Sequence, residues 1–198
     1  MLSVSTSREE RSYHHGDLRG ALLRAAAELL AEQGEAAISL REVARRAQVS
    51  HNAPYRHFPD REALLAAVAE QGFGELLERM RMAAQEAGGQ AGLAALGRCY
   101  VDFALQRPGL FRLMFTGALE RGRYPGLLAA AQALHRQLEE AVAALVADAD
   151  GIASLSAWSL VHGLAQLLLE GQVDAGGDRR GLIERVTREF AESLLRRG

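Results

Sequence analysis

Apolar residues recur at three- and four-residue spacing along almost the whole chain. Leu18, Leu22, Ala25, Ala26 and Leu29 share one face of a helix predicted over 17–33, and Gly34 ends it. A second stripe, Leu40, Val43, Ala44 and Ala47, follows Ser39, a good N-cap. Glu42, three residues on, predicts a reciprocal capping box. Ala47-Gln48-Val49 is then a turn, and Ser50 is expected to cap a short third helix. That helix carries Pro54 in its first turn and stops near Phe58, before Pro59. Asp60 caps a fourth, running through Met80 toward Gln85. Gly88-Gly89 and Gly92 mark the next break, with helices at about 93–106, 108–118, 125–147, 151–170 and 180–196. No alternating apolar run suggests a strand. The expectation is an all-α protein of about nine helices. Residues 1–12 form a flexible arm, 13–60 a three-helix module and 61–198 a larger helical domain, the helix at about 60–85 linking the two.

Composition narrows this picture. At 198 residues the chain can bury a core without staples, and one cysteine, Cys99, excludes an internal disulfide and suits a reducing cytoplasm. Ile152–Leu169 is the longest uncharged run, but it holds three serines, Gln166 and His162. It is short for a membrane span and reads as a helix covered on two sides. The net charge of −2 is uninformative, whereas its distribution is not. Between Arg41 and Arg61 five arginines face two acids, Glu42 and Asp60, with His51 and His57 in the same window. His14-His15 cannot easily chelate one ion and no other ligand cluster accompanies them, so no metal or cofactor is expected.

Two helices crossing at a tight turn can place one of them in the DNA major groove. Ala44, Ala47, Val49 and Phe58 are small or apolar enough to pack such a pair. At the start of the third helix His51 offers a base-edge donor, Asn52 a bidentate amide and Ala53 a methyl for thymine, with Arg41 within reach of a base or phosphate. Tyr55, His57 and Arg61 are spaced to meet phosphates, and Ser39, Ser50 and Arg56 complete the candidate surface. Arg8 and Arg11 on the arm suit a minor groove. Arg45 and Arg46 read as a solvated face.

The pattern YHHGDLRGALL…SLREVARRA-x-VS-xxAPYRHF-xDREALL, over about residues 13–73, resembles the TetR family of one-component repressors. It departs in the turn, where such proteins usually have glycine and this chain has Gln48. If that position is left-handed, the side chain costs about 1 kcal/mol. In the second half Trp158-x-x-x-His162-Gly163 and RPGLFRLMF resemble the TetR subclass named for its Trp–His–Gly motif. That resemblance implies a pocket for a small-molecule inducer, with Cys99, Phe103, Phe111, Met114, Phe115, Leu134, His135, Trp158 and His162 as candidate walls. Core packing is the rival reading of each.

The last two helices carry apolar residues beyond what one subunit covers. Leu160, Leu164, Leu167, Ile183, Val186, Phe190 and Leu194 are therefore expected at a homodimer interface, and a two-fold dimer calls for a palindromic double-stranded operator. The expected function is a cytoplasmic repressor, released when a small apolar or amphipathic inducer moves the reading heads out of register. Two alternatives are a DNA-binding regulator without an inducer and a helical enzyme using Cys99 and His162. No paired carboxylates or nucleophile–base motif supports the enzyme.

Overall fold

A computed structural model describes residues 17–115, 117 and 119–196, and they are helical throughout, with no strand among the described residues. The eight α-helices are α1 (Leu18–Gln33), α2 (Leu40–Arg46), α3 (Arg61–Ala87), α4 (Gly89–Gln106), α5 (Pro108–Phe115), α6 (Pro125–Ala143), α7 (Ile152–Leu169) and α8 (Arg179–Leu195). Short 3-10 turns occupy Glu35–Ala37, Pro54–Arg56 and Arg121–Arg123. The arm residues Arg8 and Arg11 and the pair His14-His15 lie outside the described residues.

Contacts divide the chain into two compact units, the first up to Val68 and the second from Ala69; α3 runs through the boundary. In the first unit, Leu22, Ala25, Ala26, Leu29, Leu40, Val43, Ala44 and Phe58 are buried as expected, and Leu23 and Leu64 join them. Asp17 accepts from the Gly20 N–H at 2.9 Å and Asp60 from the Ala63 N–H at 2.8 Å, each satisfying a donor at a helix start. Ser39 caps α2 through the Glu42 N–H at 3.1 Å. The predicted capping box is only half built. Glu42 turns its carboxylate to Arg45, at 2.9 and 2.5 Å, because the guanidinium three residues on offers a charge-assisted bidentate pair.

The third helix of the sequence reading does not form as an α-helix. Its segment is a chain of tight turns, in which Ala53 N–H donates to Ser50 O at 2.9 Å and His57 N–H to Pro54 O at 2.9 Å. Pro54 is the reason. It lacks the N–H that would bond to Ser50 O, and its ring crowds that carbonyl. Nor does the Ser50 hydroxyl cap it: no side-chain hydrogen bond reaches it among the described residues.

In the second unit α4 is the central helix, packed by α5, α6, α7 and α8. Gly97 lets this happen. A Cβ there would meet the Thr187 methyl at 2.9 Å and Val161 at 3.2 Å, so α7 and α8 close on bare backbone. Asp148 anchors the start of α7. One carboxylate oxygen accepts from Ala153 N–H at 2.8 Å, and the other from Ser154 N–H at 3.0 Å and its hydroxyl at 2.5 Å. By length and hydropathy alone α7 would qualify as a membrane span. The expectation that it is covered on two sides fails within the chain, since only 28% of that window is buried. One face packs on α4, while Ile152, Leu155 and Leu167 stay exposed.

Candidate functional site

The turn after α2 sets the direction of the basic segment. Val49 N–H reaches back to Ala44 O at 3.0 Å and Gln48 N–H to Arg45 O at 3.2 Å. This pair of bonds defines a Schellman C-cap with Gln48 at its left-handed position. The Gln48 φ is 56°, and it is the one described non-glycine residue with positive φ.

The five arginines of this segment divide into two groups. Arg46 is committed to α1, donating to Glu28 at 3.0 Å and to both oxygens of Glu32, one at 2.6 Å. The pairing holds the Glu32 carboxyl below the usual carboxylate range, chiefly through the hydrogen bond. Arg45 is held by Glu42, which is lowered in the same way. Arg61, expected at a phosphate, is instead a brace. Its Nε donates to Ile38 O at 2.8 Å and its Nη2 to Glu35 O at 2.7 Å, because the chain before α2 leaves two carbonyls facing it. Arg41 and Arg56 are exposed and have no ion pair among the described residues. Around them His51, Asn52, Tyr55 and His57 are exposed, and Ala53 is half-buried. Tyr55, 53% exposed, points an aromatic ring and hydroxyl outward at a cost that core packing does not explain. Phe58 faces inward, 2% exposed, beneath the guanidinium of Arg19. The first unit thus carries a solvent-facing set of donors on a fixed turn, which can meet phosphates and base edges.

The second unit holds a cavity of about 360 Å³ between α3, α4, α5, α6, α7 and α8. Of the candidate walls, Phe115, Leu134, His135 and Trp158 line it. Phe103, Phe111 and Met114 do not; each is at most 2% exposed and fills the core. Cys99 and Phe103 border a separate shallow depression with Arg98 and Asp102. His162 stands behind the wall, its Nδ1 2.8 Å from the Tyr100 hydroxyl. Trp158 Nε1 donates to the same oxygen at 3.4 Å, which leaves the Tyr100 proton for His162. Burial lowers the His162 pKa and raises that of Tyr100, so both are neutral near pH 7. The tautomer with hydrogen on Nε2 follows from these partners.

Tyr100 is the wall residue that sequence reasoning passed over. Its signal was a hydroxyl-bearing ring one turn from Phe103 in an apolar helix. Arg121, also on the wall, sits in an irregular loop that periodicity cannot place. The Cys99–His162 pairing loses its chemistry, because burial pushes the Cys99 thiol up to about 11 and His162 is engaged by Tyr100.

A tight basic turn in one compact unit and an apolar cavity in another define a helix-turn-helix transcription regulator. The chain belongs to the TetR family: residues 22–68 match the family described as bacterial regulatory proteins, tetR family, and 93–190 the tetracyclin repressor-like C-terminal domain. An HTH-type transcriptional repressor of Mycobacterium tuberculosis strain H37Rv is 36% identical over 76 residues, 38% of this chain and 40% of that protein. An uncharacterized HTH-type transcriptional regulator of Bacillus subtilis is 29% identical over 90 residues, 46% of this chain and 47% of its own length. The chain therefore matches less than half of either relative. A protein of unknown function from Rhodococcus sp. RHA1 superposes with a TM-score of 0.75 at 35% identity, covering 93% of this chain and 96% of the other. FadR of Bacillus subtilis, solved with stearoyl-CoA, shares the fold at TM-score 0.64 and 18% identity, covering 89% and 97%.

Proposed function

We propose that this DNA-binding regulator is a homodimeric repressor, released from a palindromic operator by a small amphipathic molecule held in the α3–α8 cavity. One observation carries the ligand reading: the second unit keeps about 360 Å³ open beside an ordered Tyr100–Trp158–His162 network, where core packing would fill the space. Arg41, His51, Asn52 and Ala53 would read bases, while Ser39, Ser50, Tyr55, Arg56 and His57 would hold the backbone. Arg61 would act through the fold, by bracing α2. The coupling element is α3. Its first residues lie in the DNA-reading unit, and its Phe73 and Met80 line the cavity. Ligand favours one α3 arrangement, and linkage makes the antagonism with DNA reciprocal. The fold of FadR holds an acyl ligand, which supports a cavity of this kind but not its contents.

Dimerisation rests on the open face of α7. Ile152, Leu155 and Leu167 lie along it, with Ser156, Ser159 and Gly163 between them. Val186 is half-buried, and Leu160, also half-buried, lines the cavity. Leu164 on α7 and Ile183 and Leu194 on α8, expected at the interface, are buried within the subunit, where both helices pack on α4. Phe190 lines the cavity. A cytoplasmic location belongs to the same proposal.

The test begins with duplexes selected from a random library by the purified protein. A footprint with two-fold symmetry and affinity falling steeply with salt is expected. Adding 8-anilinonaphthalene-1-sulfonate, an apolar aromatic anion, should release the DNA. Selection that enriches no sequence refutes the operator reading. Probe binding that leaves DNA affinity unchanged refutes induction and favours a regulator without an inducer.

A further inference from the structure

The charge of the cavity wall selects among ligands. Among the described residues no aspartate or glutamate lines it, whereas Arg121, Arg136 and His135 do. His135 has its own carboxylate, Glu139 at 3.3 Å. Arg121 has none among the described residues. Its Nη2 donates to Met114 O at 2.7 Å, and its guanidinium lies 5.4 Å over the Phe73 ring. Half-buried there, it lines the cavity together with Phe73, Tyr100 and Phe115. Neutral partners, a carbonyl and a ring face, leave a partly desolvated cation without an anion. Arg136 is exposed at the rim with no ion pair among the described residues. The rest of the wall, including Leu93, Leu134, Trp158 and Phe190, offers no counter-charge.

Resting on the ligand reading above, we propose that the effector is an apolar monocarboxylate. Its carboxylate pairs with Arg121, and its hydrocarbon body lies against Phe115, Leu134 and Trp158. A guanidinium's fork matches a carboxylate in a way no alcohol or amine can reproduce. The aromatic and aliphatic walls supply affinity, and the arginine supplies the choice of head group. A neutral ligand of the same shape leaves Arg121 unpaired and a cationic one is repelled. The free acid is the form that fits, since its charge lies at the end of the chain.

Trp158 is the only tryptophan of the chain and stands on the wall, so its emission reports occupancy directly. The experiment titrates decanoate and decan-1-ol into the intact protein at pH about 7.5, where the acid is ionised. Calorimetry gives the affinities. Decanoate should bind at least about tenfold more tightly than the alcohol and perturb Trp158. Arg121→Gln should erase that preference, bringing the two affinities together, and Arg121→Lys should restore part of it. Equal binding of the two probes to the unmodified protein overturns the carboxylate assignment but leaves the cavity reading standing. Binding of neither probe, with no Trp158 response, overturns both.

Discussion

Replacing Gln48 by glycine tests the turn on which the DNA-facing segment depends. Gln48 occupies φ 56°, where an L-residue's Cβ crowds the following carbonyl at a cost of about 1–2 kcal/mol. The backbone cannot relax out of it without losing the Val49-to-Ala44 and Gln48-to-Arg45 bonds that end α2. Glycine removes the crowding but loosens the unfolded chain, which offsets roughly 0.4–1 kcal/mol. The side chain is exposed and makes no hydrogen bond among the described residues, so its removal loses little else. Gln48→Gly should therefore stabilise by about 0.5–1 kcal/mol. For a chain of this size that raises the melting temperature by roughly 1–4 °C, and by more if the first unit melts separately. Calorimetry and urea unfolding should show a higher midpoint at unchanged slope. Gln48→Ala, which keeps the Cβ, should gain nothing, and Gln48→Val should lose stability. A Gln48→Gly protein that melts at or below the parent temperature refutes the reasoning.

Tyr100→Phe should cost about 1–3 kcal/mol in chemical denaturation, because His162 Nδ1 and Trp158 Nε1 lose their shared partner in a buried setting. His162 has a native pKa below its unfolded value, so the unfolded chain takes up the proton first. Stability should fall as pH drops below about 6.5 and level off below the native pKa. Asp148→Asn should lower the melting temperature near neutral pH. The parent loses that contribution as pH falls through the depressed Asp148 pKa, so the two melting curves should converge in acid. On selected DNA, Arg56→Gln should weaken binding on all sequences and reduce the salt slope by about 1, while Asn52→Ala should relax preference at one base pair. In sedimentation the parent protein should run as a dimer and Leu155→Glu as a monomer, without loss of helicity.

The sequence by itself determined what local chemistry can specify. Helical periodicity placed the eight described α-helices and added a short one ending near Phe58 that forms only tight turns, and caps such as Asp60 follow from backbone donors that every helix start leaves open. The odd residue of the turn was visible too, because a glycine position filled by Gln48 stands out against the rest of the motif. Three things needed the tertiary structure. Pro54 was legible as tolerable in a first turn, but whether the next residues complete an α-helix depends on the donors that remain, and here they close only tight turns. The role of each arginine in the 41–61 window was decided by what lay opposite in space. Glu28 and Glu32 on α1 claim Arg46, Glu42 claims Arg45 and two stray carbonyls claim Arg61, so among the described residues Arg41 and Arg56 are the ones in this window without such a partner. The cavity, last, is a space between six helices. A periodic stripe tells that Phe103, Phe111 and Phe115 face inward, yet only packing distinguishes two that fill the core from one that borders a void. For the same reason Arg121, in a loop with no period, emerged as the residue that gives that void its charge.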